Sequence, residues 1–167
     1  MEARSQAIVD ECRRQEESCN YTATALFSWL KEVRVYRVLF ITVPIICGSA
    51  AGLKILLEET QYKWVAGMAA LLAGLFPAIF KALDLDVNIK TMADSANRFL
   101  ALRDRFRQAA SLDAEQPIDE LEKQFKQLMD RMDDARAASL AVPERHFRYA
   151  QKKIKRGDTT FAVDKTK

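Results

Sequence analysis

The residues able to carry catalysis are few in this chain. Its 167 residues include one histidine, His146, and three cysteines, Cys12, Cys19 and Cys47. One imidazole cannot build a histidine-rich metal site, and no serine or cysteine is paired with it by its spacing. A glycine-rich phosphate loop is missing too, because four of the five glycines lie in apolar stretches. We therefore expect a protein that is not an enzyme and that needs no cofactor.

The three cysteines are interpreted more simply as packing residues than as reactive thiols. Cys12 and Cys19 are seven positions apart, which places them on one face of a helix. Cys47 makes the count odd. In a reducing compartment all three are most simply small apolar side chains in a helix contact. A redox switch through Cys12 or Cys19 is the alternative.

A cluster of basic residues lies near the end of the chain. Six Lys and Arg in residues 143–157 face one acid, Glu144, which leaves a local charge of six minus one, or +5. They are Arg145, Arg148, Lys152, Lys153, Lys155 and Arg156. On a helix they would contact anionic lipid headgroups or a phosphate. A solvated polar face, or ion pairs with Asp130, Asp133 and Asp134, are the alternatives.

The net charge of +3 is spread unevenly. Lys/Arg and Asp/Glu number six and six in residues 1–37, two and two in 38–80, and eighteen and fifteen in 81–167. This excess of positive charge is too small to indicate a nucleic-acid partner, and we expect none.

Two charge-poor stretches predict the fold class. Residues 38–53 carry no charge, and the apolar run continues past Lys54 to Leu57, twenty residues that span about 30 Å as a helix. A second run covers residues 64–80. We predict transmembrane helices over 38–57 and 64–83, joined by a short outer loop over 58–63. Two buried core helices of a soluble bundle are the alternative.

Small residues recur at every fourth position in both predicted spans. Such ribbons let two helices approach closely. We expect them to pack the hairpin within one chain, and a subunit interface is the alternative. The residues concerned are Gly48 and Gly52 in the first span, and Ala66, Ala70, Gly74 and Ala78 in the second.

The flanking charges predict the topology. Lys31, Arg34 and Arg37 precede the first span, and Lys81 and Lys90 follow the second. By the positive-inside rule both termini then face the cytoplasm. The first residues lack the apolar segment of a cleavable signal peptide, so we expect an uncleaved two-span membrane protein.

Apolar residues spaced in steps of three and four predict helices on both sides of the hairpin. They run from Ile8 to Tyr36, from Leu85 to Ala110, from 118 to 135 and across 143–157. Arg103 interrupts the second seam, where Leu102 fills the gap. The predicted fold is all-α. A cytoplasmic N-terminal helix (1–37) leads into the transmembrane hairpin, which continues into a cytoplasmic helical bundle or coiled coil (84–157) and a C-terminal tail (158–167).

The order of these parts resembles the SLATT family of two-transmembrane effector domains. The resemblance covers residues 19–157 and includes Tyr21, Leu26–Phe27 and the hairpin. It continues in ANRFLALRDRFRQ (Ala96 to Gln108) and VPERHFRYAQKKIKRG (Val142 to Gly157). In the last segment the matching residues are Pro143, Tyr149, Ala150, Ile154 and Gly157.

The resemblance implies a membrane effector of a bacterial defence system in the inner membrane. On a signal from a nucleotide-generating or nucleotide-sensing partner, homo-oligomers of the hairpin would open a pore. For such a pore Thr42 and Ser49 are the candidate lining, and Asp84 and Asp86 the candidate ring at the inner mouth, favouring cations. Hydroxyl bonds back to the helix carbonyls are the alternative for Thr42 and Ser49.

Two other functions are consistent with the sequence. The hairpin could serve only as an anchor, with the helical bundle acting as an adaptor that docks a partner. A small-solute transporter is the third alternative, although the chain lacks the internal repeat expected of one.

Overall fold

A computed structural model describes residues 2–56, 63–82, 85–112, 114 and 116–159 of the chain. Within these ranges the backbone forms five helices and no strand, which confirms the all-α class. The helices are α1 (Glu2–Leu56), α2 (Lys63–Ala82), α3 (Leu85–Ser111), α4 (Ile118–Ala137) and α5 (Glu144–Lys155).

The chain divides into two compact units. The first comprises Met1–Leu30 and Lys90–Lys167, and the second comprises Lys31–Ile89. Helix α1 contributes to both, because it continues through the boundary between the predicted N-terminal helix and the predicted first span. Pro44 lies inside it.

The first unit has a core built from α1, α3 and α4. Its largest fully buried side chains are Leu26, Phe99, Phe106, Leu121 and Met132. Burying each of them contributes about 1.5–3 kcal/mol relative to exposure. The core therefore joins helices far apart in sequence.

Helix α3 shows how the interrupted seam is completed. Phe99 and Phe106 are buried, and Leu102, between them, is 7% exposed. Arg103 is also mostly buried, with its side chain 14% exposed, and its guanidinium lies 2.7 Å from the carboxylate of Asp104. The expected burial of Leu102 is confirmed, but Arg103 stays against the core beside it.

Proline and glycine define the ends of α4 and α5. Pro117 and Pro143 cap the two N-termini, one residue before each helix begins, and their carbonyls accept bonds from the first turn. At the end of α5, Gly157 has φ 78°, a left-handed conformation. Its N–H donates to the Ile154 carbonyl, and that of Asp158 donates to the Lys153 carbonyl. This pair of bonds is a Schellman motif, which stops the helix.

In the second unit α1 and α2 lie against each other. A Cβ added to Gly48 would lie 3.6 Å from the Cβ of Ala73, and the rings of Phe40 and Phe76 are 5.5 Å apart. Gly48 and Ala73 therefore face each other where the two helices meet, and a methyl group at position 48 would make an ordinary van der Waals contact. In the described parts of the chain, none of the helices has a stretch both long and apolar enough to span a bilayer.

Candidate functional site

The second unit carries an extended exposed apolar surface. Besides Tyr36, at 46%, fourteen large apolar side chains of α1 and α2 are exposed to solvent, with Trp64 at 72% and Leu71 at 64%. We call these residues the apolar surface: Val35, Val38, Leu39, Ile41, Val43, Ile45 and Ile46 on α1, and Trp64, Val65, Met68, Leu71, Leu72, Leu75 and Ile79 on α2.

This surface is unusual for a water-facing protein. Single exposed apolar residues are ordinary, but a contiguous apolar patch beyond a few hundred Å² marks a membrane or protein interaction site. In the described part of the first unit, by contrast, the large exposed apolar side chains are Leu112, Phe147 and Tyr149. The apolar surface is therefore the main candidate for the functional site.

The small residues of the predicted ribbons lie in different surroundings. Gly48 lies at the α1–α2 contact, whereas a Cβ added to Gly52 or Gly74 would meet nothing within 4 Å. Ala70 and Ala78 are exposed along with Gly74. The expected packing of this α2 ribbon against α1 is thus not observed. Ala73, the residue before Gly74, makes the contact with Gly48 of α1. The side chain of Ala66 is outside the described residues.

The candidate pore-lining hydroxyls face away from the hairpin contact. Thr42 and Ser49 are both exposed. Thr22 in the first unit donates a hydrogen bond to the Ser18 carbonyl at 3.0 Å, but neither Thr42 nor Ser49 makes such a bond to a described residue. The alternative role of these two hydroxyls in bonding their own helix is not observed. Asp84 and the side chain of Asp86 are outside the described residues.

Two arginines near the end of the chain form local ion pairs. Arg148 lies 3.2 Å from Glu144, and the Arg156 guanidinium lies 3.6 Å from the Asp158 carboxylate. Lys152, Lys153 and Lys155 have no acidic partner within the described part of the chain. Arg145 shares this helix and is also exposed.

The three α4 acids that the sequence suggests as ion-pair partners of α5 do not pair with its lysines. Asp133 accepts from Arg136 at 3.4 Å, an i,i+3 contact within α4. In the described ranges no ion pair joins Asp130 or Asp134 to the α5 lysines. For Lys152, Lys153 and Lys155 the remaining interpretations are a solvated face and a contact with lipid or phosphate.

Helix α5 packs on α1 through a group that sequence reasoning missed. His146 is 5% exposed, and its Nδ1 lies 3.1 Å from the Ser28 hydroxyl. The Trp29 ring is 6.4 Å from the imidazole, and Phe147 stacks on Tyr21 at 6.3 Å. The sequence did contain a signal for this burial: His146 lies one helical turn from Ala150, which is also buried. The only histidine therefore belongs to a helix contact.

The two N-terminal cysteines are core residues. Both Cys12 and Cys19 are fully buried, and the Cys19 sulfur lies 3.5 Å from the Met132 sulfur. Burial raises the pKa of the Cys19 thiol to about 11, although Arg136 and Arg103 nearby partly oppose that rise. A thiol that stays protonated is a poor nucleophile, so a redox switch at Cys19 is disfavoured.

Sequence reasoning also missed a groove between α3 and α4. Arg98 and Arg105 of α3 line it, and Arg131 of α4 lies opposite. The signal in the sequence was the seven-residue spacing of the two α3 arginines, which puts them on one helix face. No metal-binding group of three His, Cys, Asp or Glu side chains is found in the residues that the structure describes.

The chain matches no protein-family profile, no curated protein and no solved structure. The resemblance to the SLATT family therefore depends on the residues of the chain themselves.

Proposed function

We propose that this protein is a membrane effector of a bacterial defence system whose second unit inserts its apolar surface into the inner membrane. The observation that carries the proposal is the exposure of fourteen large apolar side chains on α1 and α2. All but Val35 fall in the apolar runs 38–57 and 64–80, parts of which are outside the described residues.

The energy of this surface favours an apolar environment. Fully burying an aliphatic side chain is worth about 1.5–3 kcal/mol, and the fourteen side chains are exposed by 40% to 72%. Removing them from water therefore gains on the order of 10 kcal/mol. That gain is comparable to the stability of a whole domain, so the surface would be covered by lipid or protein.

Pore formation requires more than one copy of the chain. Thr42 and Ser49 are exposed, and so are Ala70, Gly74 and Ala78. In an oligomer the small α2 residues would let neighbouring hairpins approach closely, and the α1 hydroxyls would line a polar path. The flanking cations favour cytoplasmic termini. Activation by a nucleotide-generating or nucleotide-sensing partner follows from the resemblance to the SLATT family.

The decisive experiment measures membrane potential in bacteria that express the full chain, alone and together with its neighbouring genes, with a voltage-sensitive dye. We expect depolarisation before viability falls. Thr42→Leu and Ser49→Leu should reduce the depolarisation without changing the amount of protein resistant to carbonate extraction. Ile45→Leu, at an exposed apolar position of the same helix, serves as the matched control and should behave like the wild type.

The pore hypothesis would be refuted if the membrane potential stayed intact under every activating condition while the protein was present in the membrane fraction. That result would leave the second candidate function, a membrane-anchored adaptor. The exposed aromatic residues Phe147 and Tyr149 favour that alternative, since each offers an apolar contact to a partner, on different sides of α5. An adaptor would tolerate Thr42→Leu and Ser49→Leu but lose its phenotype on Phe147→Ala with Tyr149→Ala.

A further inference from the structure

The groove between α3 and α4 has a composition suited to an anion. Its two halves have volumes of about 360 Å³ and about 420 Å³. Both halves are lined by Arg105 and Arg131, so these two side chains lie where the halves meet. Arg98 lies at one end.

The charge of the groove is not balanced from within. Its lining includes three arginines and one acid, Asp134, for a net charge of three minus one, or +2. Within the described residues neither Arg98 nor Arg131 forms an ion pair. The carboxylate of Asp104, which follows Arg103 in the sequence, is already paired with Arg103 at 2.7 Å. Three exposed guanidinium groups that line one groove attract an anion.

The spacing of the arginines indicates an elongated anion with more than one charged group. Arg98 and Arg105 are two turns apart on α3, roughly 10.5 Å along the helix axis. A guanidinium binds a phosphate through two parallel hydrogen bonds, and one phosphate group cannot satisfy three such groups along this length. An oligophosphate can contact all three in sequence.

The other end of the groove has a different chemistry. Gln108, Gln124 and Gln127 line it, and Gln108 accepts a long 3.4 Å hydrogen bond from Arg105. Amide side chains both donate and accept, which suits the edge of a nucleobase or the hydroxyls of a sugar. Leu128, buried in the core, lies beside them and offers an apolar surface.

We propose that the α3–α4 groove binds an oligophosphate, with Arg98, Arg105 and Arg131 holding its phosphates. The ligand is either an inorganic oligophosphate or a nucleoside oligophosphate whose nucleoside part contacts the glutamines. The site lies wholly in the first unit, and it does not rest on the proposed membrane function.

The test is isothermal titration calorimetry on the full chain in an uncharged detergent. The ligands are sodium tripolyphosphate, ATP and inorganic phosphate, each at low and moderate salt. We expect saturable binding of one tripolyphosphate or ATP per chain, at least tenfold tighter than that of inorganic phosphate, and weaker at the higher salt. ATP binding more tightly than tripolyphosphate would identify the nucleoside form, and equal affinities the inorganic one.

Variants locate the site. Arg105→Gln and Arg131→Gln should each weaken binding at least tenfold, because each removes charged hydrogen bonds. Arg105→Lys should lie between Arg105→Gln and the wild type, because it keeps the charge but loses the two-pronged geometry. Arg13→Gln, an exposed arginine on α1, is the matched control and should leave binding unchanged.

Three results would overturn the proposal. One is the absence of saturable binding at millimolar tripolyphosphate and ATP. Another is an equal loss of affinity in Arg13→Gln and Arg105→Gln, which would indicate diffuse attraction. The last is binding that survives Arg105→Gln and Arg131→Gln but is lost when Lys152, Lys153 and Lys155 are changed to Gln, since the anion would then bind α5. Circular dichroism of each variant checks that these exposed positions leave the helices intact.

Discussion

The buried thiol of Cys19 predicts a specific loss of stability at alkaline pH. Its pKa is raised from 9.0 to about 11 in the folded chain, and the first cause is its burial in the core. Below pH 9 the thiol is protonated in both folded and unfolded chains, so its contribution to stability is complete. Between pH 9 and about 11 only the unfolded chain loses the proton, and unfolding becomes progressively more favourable.

The size of the effect follows from the shift of two pH units. Each unit corresponds to about 1.4 kcal/mol, so the full loss above pH 11 is about 3 kcal/mol. Between pH 8.5 and 10.5 the expected loss is roughly 2 kcal/mol. Guanidinium unfolding followed by circular dichroism, at several pH values in this range, measures it on the full chain in detergent.

A variant isolates the contribution of Cys19 to the pH dependence. Cys19→Ala should lose the Cys19 contribution, so the difference in unfolding free energy between wild type and variant should shrink by roughly 2 kcal/mol between pH 8.5 and 10.5. Met132→Leu changes the same sulfur contact without changing a titrating group, and its pH dependence should match the wild type. Parallel curves for the wild type and Cys19→Ala would refute the reasoning.

Three further predictions concern packing. Gly48→Ala should be tolerated, because the new Cβ would lie 3.6 Å from Ala73, whereas Gly48→Leu should separate α1 from α2 and lower the thermal transition of the detergent-solubilised protein. Ser28→Ala removes the hydrogen bond to His146 and should cost about 1–3 kcal/mol in chemical unfolding; no change would indicate that the bond contributes nothing. Phe106→Ala should cost about 3–5 kcal/mol by the same measurement, and a loss below 1 kcal/mol would show that its surroundings collapse onto the cavity.

The sequence was informative about helices and about the core of the first unit. The helical spacing of apolar residues from Leu85 to Ala110 includes Phe99 and Phe106, which are core residues in the structure. Leu102 is buried as expected, beside an Arg103 that is mostly buried too. Pro117 and Gly157 marked helix ends, since each restricts the backbone locally. Local chemistry accounts for all of these successes.

Features that depend on how helices turn toward one another were not predictable. The second apolar run is apolar on every side, so its spacing could not show that Ala73, rather than Gly74, faces α1. The burial of His146 depends on Ser28, 118 positions away. The groove required Arg131 to face the α3 arginines, which depends on the pairing of α3 with α4. The membrane and defence roles stay predictions.

The placement of the cysteines limits what oxidation can do to assemblies of this chain. Cys12 and Cys19 are buried on one helix and lie roughly 10.5 Å apart along its axis, beyond the reach of a disulfide. Only Cys47 is partly exposed. One accessible thiol per chain can join two chains and no more, so oxidative cross-linking of any assembly should yield covalent dimers however many subunits it contains. A covalent ladder beyond the dimer would mean that the bundle had opened.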